Sequence, residues 1–175
     1  MKSKSNAAAG KNAVRVTVRQ ATGADAERIV ELLGQVLEVH AALRPDLFIP
    51  GTVKYTKEEV AAILSDSGRR TYVAVCDGGA VAGYAMCVLK KAAFSNTMIP
   101  RTSMFIDDFC IDESARGKGV GRALFEFVKS EAKREGCRDV TLCVWEGNDA
   151  ARAFYDRMGM RPRETVMELD IPENE

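Results

Sequence analysis

Along residues 14–21, VRVTVRQA, apolar and polar side chains alternate, the period of a strand with one buried face. From Asp25 to about Leu43 the spacing changes. Ile29, Leu32, Leu33, Val36, Leu37 and Val39 recur as on one helix face, and RPDLFIPG stops the helix because proline cannot continue its ladder. A second helix is predicted to open at Thr56, since TKEEVAAIL sets Glu59 three residues after a threonine, a capping box. RTYVAVC and AVAGYAMCVL flank DGG and predict a hairpin. Residues 91–103, with Pro100, read as a loop, and SMFIDDFCI (103–111) as a further strand. Beyond a glycine-rich stretch, Leu124, Phe125 and Val128 mark the apolar face of a helix from about Val120 to Glu135, with Gly136 as its C-cap. DVTLCVW predicts a buried strand, NDAARAFYDRM a helix ended by Gly159, and TVMELDI (165–171) a final strand. The order β-α-α-β-β-β-α-β-α-β, without repeat or linker, predicts a single α/β (α+β) domain over 14–172. A polar lead-in at 1–13 is expected to be disordered.

Composition narrows the function classes. Lysine plus arginine equals aspartate plus glutamate at 25 each, interleaved rather than striped, so no nucleic-acid partner is expected. No apolar run approaches the roughly 20 residues that span a bilayer, and the N-terminal stretch lacks the layout of a secretory signal. No membrane partner is expected. Five cysteines (Cys76, Cys87, Cys110, Cys137, Cys143) make an odd number without a C-x-x-C pair, which predicts free, buried thiols in a reducing cytoplasm. With one histidine, no metal site is expected.

ARGKGVGRALF (115–125) is the chemically pointed stretch. Glycines beside Arg116 and Lys118 at a helix start suit a simple turn, or an anion held by unpaired backbone N–H groups and the positive end of the helix dipole. The spacing of Gly117, Gly119 and Gly121 after the fourth strand fits neither a dinucleotide fingerprint, which follows a first strand, nor a P-loop.

Arg116, Gly119 and Gly121 do meet the R/Q-x-x-G-x-G/A signature that follows the fourth strand of GNAT-superfamily N-acetyltransferases, and VWEGNDAARAFYDRMGM resembles that family's later strand, asparagine and tyrosine-bearing helix. The element order over 14–170 also agrees, so the chain resembles this family over nearly its whole length. FIDDFCIDESARGKGVG is further similar to the spermidine/spermine N-acetyltransferases. The resemblance implies a mixed, mostly antiparallel central sheet with helices on both faces. It implies acetyl-coenzyme A as cosubstrate, without metal, and direct acetyl transfer to a primary amine on a small molecule or peptide. Acetylation of a protein α-amine or lysine and a non-catalytic acyl-CoA sensor are the alternative readings, and a homodimer is compatible with all three.

On this resemblance Gly117, Lys118, Gly119, Val120, Gly121 and Arg122 would cradle the coenzyme's pyrophosphate, with Arg116 and Lys118 adding charge. Backbone groups near Phe109, Cys110 and Ile111 would meet the pantetheine arm at a slot where the fourth strand splays from the next. An arriving ammonium must lose a proton. Asp107 stands where the polyamine enzymes carry an acid implicated as base, and Asp108 would attract a cationic acceptor or cap a loop. Because successive strand residues face opposite sides, the two are not expected to enter the slot by the same route. Tyr155 is the candidate general acid, or else a core aromatic; Asn148 caps its helix and, by resemblance, touches the coenzyme. His40, at the end of the first helix, complements the dipole there or lines the acceptor pocket as substrate contact or second base. Cys110 is better read as a buried thiol than as an acyl carrier.

Overall fold

The computed structural model describes residues 15–94 and 96–171; the lead-in expected to be disordered lies outside the described residues. The alternating VTVRQ forms β1 (Val16–Gln20), and a one-turn 3-10 segment leads into α1 (Ala26–Leu43). α2 (Lys57–Ser65) begins where its capping box sets it: Glu59 N donates to Thr56 Oγ1, and Thr56 N donates to the Glu59 carboxylate. β2 (Arg69–Cys76) and β3 (Val81–Lys91) are joined through Asp77, Gly78 and Gly79, both glycines at positive φ as the tight turn requires. β4 (Thr102–Ile111), α3 (Val120–Arg134), β5 (Asp139–Leu142) and α4 (Asp149–Arg157) complete the order.

The five strands lie in the order β1-β2-β3-β4-β5, antiparallel except for the β4–β5 pair. Each face is covered by the apolar stripe of its helices. Ile29, Leu32 and Leu33 of α1 and Val60 of α2 are buried against Val73, Tyr84 and Met86 on one side. Val120, Leu124, Phe125 and Val128 of α3 are buried against Ala74, Ala85, Met104 and Ile106 on the other. This is the mixed, mostly antiparallel sheet that the family resemblance implied.

Two irregularities in β4 position the site. The first is a bulge: Cys87 pairs with Ile106 but Met86 pairs with Asp108, so Asp107 is one residue too many for its partner strand. A bulge resets the alternation of faces. Accordingly Met104 and Ile106 pack toward α3, whereas Cys110 packs toward α1 and α2. The second is a parting of strands. β5 pairs with β4 only from Ser103 to Ile106 and ends at Leu142, while β4 continues to Ile111. Residues 107–111 therefore have no strand partner on that side of the sheet.

Three expectations are corrected. DVTLCVW is a strand only over its first four residues, because β4 offers no ladder beyond Leu142; Cys143 consequently leaves the sheet and is exposed, as Trp145 partly is. Of the thiols expected to be buried, Cys87 and Cys110 are, and Cys76 and Cys137 are half-buried. TVMELDI joins none of the described strands, and Val166, Met167, Leu169 and Ile171 stay 86–89% exposed.

Candidate active site

At the bulge, the expectation that Asp107 and Asp108 take separate routes fails. Lys54, from the segment between α1 and α2, brings its Nζ to 3.0 Å from Asp108 Oδ2 and 3.9 Å from Asp107 Oδ2. Both carboxylates thus serve one small volume. Asp108 is the buried member, its side chain 7% exposed, and its other oxygen, Oδ1, accepts a 2.6 Å hydrogen bond from Tyr84 Oη. Asp107 keeps about a third of its side chain in contact with solvent, 34%. Burial disfavours the charged Lys54, but the charge and hydrogen bond of Asp108, with Asp107 behind, outweigh it and raise its pKa above the ordinary lysine value. The Tyr84 hydroxyl, fully enclosed and beside a carboxylate, is pushed well above the phenol range and stays a donor.

An aromatic wall closes one side. His40 lies 5.3 Å from Phe48 and 6.3 Å from Trp145, ring to ring, and Arg44 stacks 5.8 Å over Trp145. Burial, assisted by Lys54 and opposed by Asp108, lowers the His40 pKa, which favours the neutral ring near neutral pH. The charges of Lys54 and Asp108 both act on the His40 ring, and Asp107 joins them through Lys54.

Tyr155 lies toward α3. Its ring packs among Phe109, Phe125 and Phe154, with centroids 5.1–6.2 Å apart. Burial first, then Asp108 and the Cys110 and Cys87 thiols, push its pKa upward, so the phenol holds its proton through the neutral range. Burial and Asp108 raise the Cys110 thiol to about 12, which suits the inert thiol rather than a nucleophile.

The glycine-rich loop is fixed at its entry. Asp112, at the end of β4, accepts from Arg28 and Gln35 of α1 and from Ser114, and these bonds hold its carboxyl well below the usual range. Gly117 and Gly119 follow with φ of 73° and 85°, and Gly119 is the N-cap of α3. A Cβ at either would meet nothing within 4 Å, so the space before the helix is open. The first α3 bond is Ala123 N to Gly119 O, which leaves the N–H groups of Val120, Gly121 and Arg122 without intrahelical acceptors. Gly121 has a different reason: a Cβ there would come within 3.3 Å of the Ile111 and Phe154 side chains, which would have to give by a few tenths of an ångström to admit it. Arg116 donates Nε to Ile111 O, which ties the loop to the end of β4. Asn148 Oδ1 caps α4 by accepting from Ala151 N. Open backbone donors, two cationic side chains and room for a bulky anion fit a coenzyme diphosphate. Among the described residues no group of histidine, cysteine and carboxylate side chains is arranged to hold a metal ion.

Lys54 and Tyr84 were not legible as site residues. Lys54 sits in a loop without motif, and Tyr84 reads as one more aromatic in an apolar strand; only the three-dimensional pairing connects them to Asp108.

The Acetyltransferase (GNAT) family model matches residues 36–160. A crystal structure of a tetramutant of the BH1408 protein from Bacillus halodurans superposes with a TM-score of 0.84 at 30% identity, covering 89% of this chain and 99% of that one. Aminoglycoside N(6')-acetyltransferase type 1 from Stenotrophomonas maltophilia is 26% identical over 156 residues, 89% of this chain and 93% of that one. Glucosamine 6-phosphate N-acetyltransferase from Trypanosoma brucei brucei is 33% identical over 66 residues, 38% of this chain, and that match spans less than half of the relative, 43%.

Proposed function

This chain belongs to the acetyltransferase (GNAT) family, and from that premise we propose that it transfers an acetyl group from acetyl-coenzyme A directly to a primary amine, with both substrates bound together. The observation that carries the acceptor half is the position of Lys54. A primary ammonium already rests 3.0 Å from Asp108 and 3.9 Å from Asp107, so the cluster is chemically matched to an alkylammonium group. Asp108, held by Tyr84, anchors the incoming cation. Asp107, partly exposed, accepts the amine's proton and can pass it to water. His40, Phe48 and Trp145 shape the acceptor wall.

The coenzyme supplies the activated acetyl thioester. Gly117, Lys118, Gly119, Val120, Gly121 and Arg122, with Arg116, hold its diphosphate, and the freed β4 edge at Phe109, Cys110 and Ile111 receives the pantetheine arm. Asn148 orients α4 toward it. Tyr155, whose phenol keeps its proton, protonates the departing sulfur. The aminoglycoside acetyltransferase named above acts on a cationic small molecule, which supports a small polyamine-like or amino-sugar acceptor.

The test is thiol release from acetyl-coenzyme A across a panel of diamines, aminoglycosides and lysine peptides, with Lys54→Met alongside wild type. The expected result is amine-dependent release, with a lower KM for cationic acceptors in the variant because the internal competitor is gone. No release with any amine would overturn the reading, and activity confined to the peptides would replace its small-molecule part.

A further inference from the structure

Lys54 reaches the carboxylate pair from a fixed base. It closely precedes Thr56, the cap of α2, and its neighbour Tyr55 packs against the core that α1 and α2 form with the sheet. Its ammonium lies 5.3 Å over the Tyr55 ring, 3.0 Å from Asp108 Oδ2 and 3.9 Å from Asp107 Oδ2. Other paired lysines point outward. Lys57 pairs with Glu27 and Lys129 with Glu126, and each keeps more than half of its side chain exposed. Lys54 instead sets a primary amine where the amine of an acceptor would bind.

The groups assigned to acetyl transfer lie along the same stretch of β4. Asp108 is followed by Phe109, whose ring is 6.2 Å from that of Tyr155. Burial, and after it the Asp108 charge, raises the pKa of the Tyr155 phenol; at Lys54 burial opposes Asp108 and Asp108 prevails. One carboxylate is thus within electrostatic reach of both the amine and the acid.

We propose that Lys54 is itself an acetyl acceptor: with acetyl-coenzyme A bound and no amine present, the chain acetylates Lys54 Nζ within its own active site. This rests on the transfer reaction proposed above. The Lys54 ammonium loses a proton through Asp107 to water, and the freed amine forms the C–N bond as the thioester C–S bond breaks. The second proton lost by nitrogen replaces the one that Tyr155 gives to sulfur. The products are an N-acetyl-lysine, coenzyme A and a proton, and nothing is oxidised or reduced. The new amide is uncharged, so both carboxylates are released to an incoming cation.

Incubating the full chain with acetyl-coenzyme A alone, followed by peptide mass spectrometry, tests this. The expected result is an acetyl group on Lys54 ahead of Lys57 and Lys129, at a rate per chain unchanged by dilution. Those two lysines are internal controls, because uncatalysed acetylation favours the more exposed amines. Tyr155→Phe should slow labelling of Lys54 by about 10²–10⁴-fold and leave labelling of Lys57 unchanged. Lys54→Arg, which keeps the charge, should lose the thiol release seen without added amine. Thiol release with added amines but no acetyl group on Lys54 would overturn this inference alone and reduce Lys54 to an ion-pair partner. Neither label nor amine-dependent release would overturn the transfer reaction with it. Labelling of Lys54 no faster than of Lys57, or a rate per chain that falls on dilution, would also overturn the inference.

Discussion

The Tyr84 hydroxyl lies 2.6 Å from Asp108 Oδ1, and with Lys54 on Oδ2 it leaves neither oxygen of this buried carboxylate without a donor. The two donors come from β3 and from the segment before α2, so one side chain on β4 joins three parts of the fold. Tyr84→Phe removes a donor from a buried charge, and that class of loss costs about 1–3 kcal/mol. Because the Tyr84 pKa is raised well above 10, the bond is present throughout the working pH range and its loss should be felt equally from pH ~6 to ~9. Urea denaturation should show the drop, with a raised KM for cationic amines and an unchanged melting shift on adding coenzyme A. Unaltered stability would mean that water replaces the hydroxyl.

The capping box of α2, the hairpin glycines and the amphipathic α3 behind its glycine loop were all legible because each is written in a few adjacent residues. The bulge at Asp107 was not. It is a property of the register between β3 and β4, and without it the alternation rule sends Asp107 and Asp108 apart. Lys54 escaped notice for a similar reason, since its partner is 54 residues away. The 165–171 segment shows the converse: its alternation predicted a final strand, but a local pattern supplies no pairing partner, and the segment joins none of the described strands.

Asp25 supplies a pH prediction for the scaffold. Its side chain is 6% exposed, and Arg19 grips it with hydrogen bonds of 2.7 and 2.8 Å. That bond lowers its pKa from 3.8 to about 2, against burial and with help from Thr22. A lowered folded pKa stabilises above the unfolded value and is lost as pH falls through the folded one. Asp25→Asn should therefore cost about 2 kcal/mol at pH ~7, and the difference should shrink from pH ~4 and nearly vanish at pH ~2. Denaturant melts of both proteins across that window decide it; a constant difference would place the stabilisation elsewhere.

Gly119 and Gly136 stand at opposite ends of α3, with φ of 85° and 71° and open space at both Cβ positions. Alanine at either pays the same left-handed backbone penalty, about 1–2 kcal/mol. The proposed diphosphate site distinguishes them. Gly119→Ala should lose most of the melting shift produced by coenzyme A, whereas Gly136→Ala should keep it from a lowered baseline. Equal shifts in the two variants would reduce the loop to a turn.

Tyr155 is the sharpest test of the proposed chemistry, because its ring and its hydroxyl can be separated. The ring packs against Phe109, Phe125 and Phe154, contacts that phenylalanine reproduces, so Tyr155→Phe should change stability by less than about 1 kcal/mol. The hydroxyl is the part assigned to protonating the leaving sulfur. Loss of a positioned acid lowers kcat by about 10²–10⁴-fold, or roughly 3–5 kcal/mol in the barrier. The coenzyme-induced melting shift should remain, since the diphosphate and pantetheine contacts lie on the loop and on β4. Because burial holds the Tyr155 pKa above the ordinary phenol value, the wild-type kcat should show no falling limb from this group below pH ~10, and the variant should keep the same low-pH limb as wild type. Stopped-flow thiol release with a saturating amine measures each of these. A variant that turns over like wild type returns Tyr155 to the core, and one that raises only the KM for the amine makes it an acceptor contact instead of the acid.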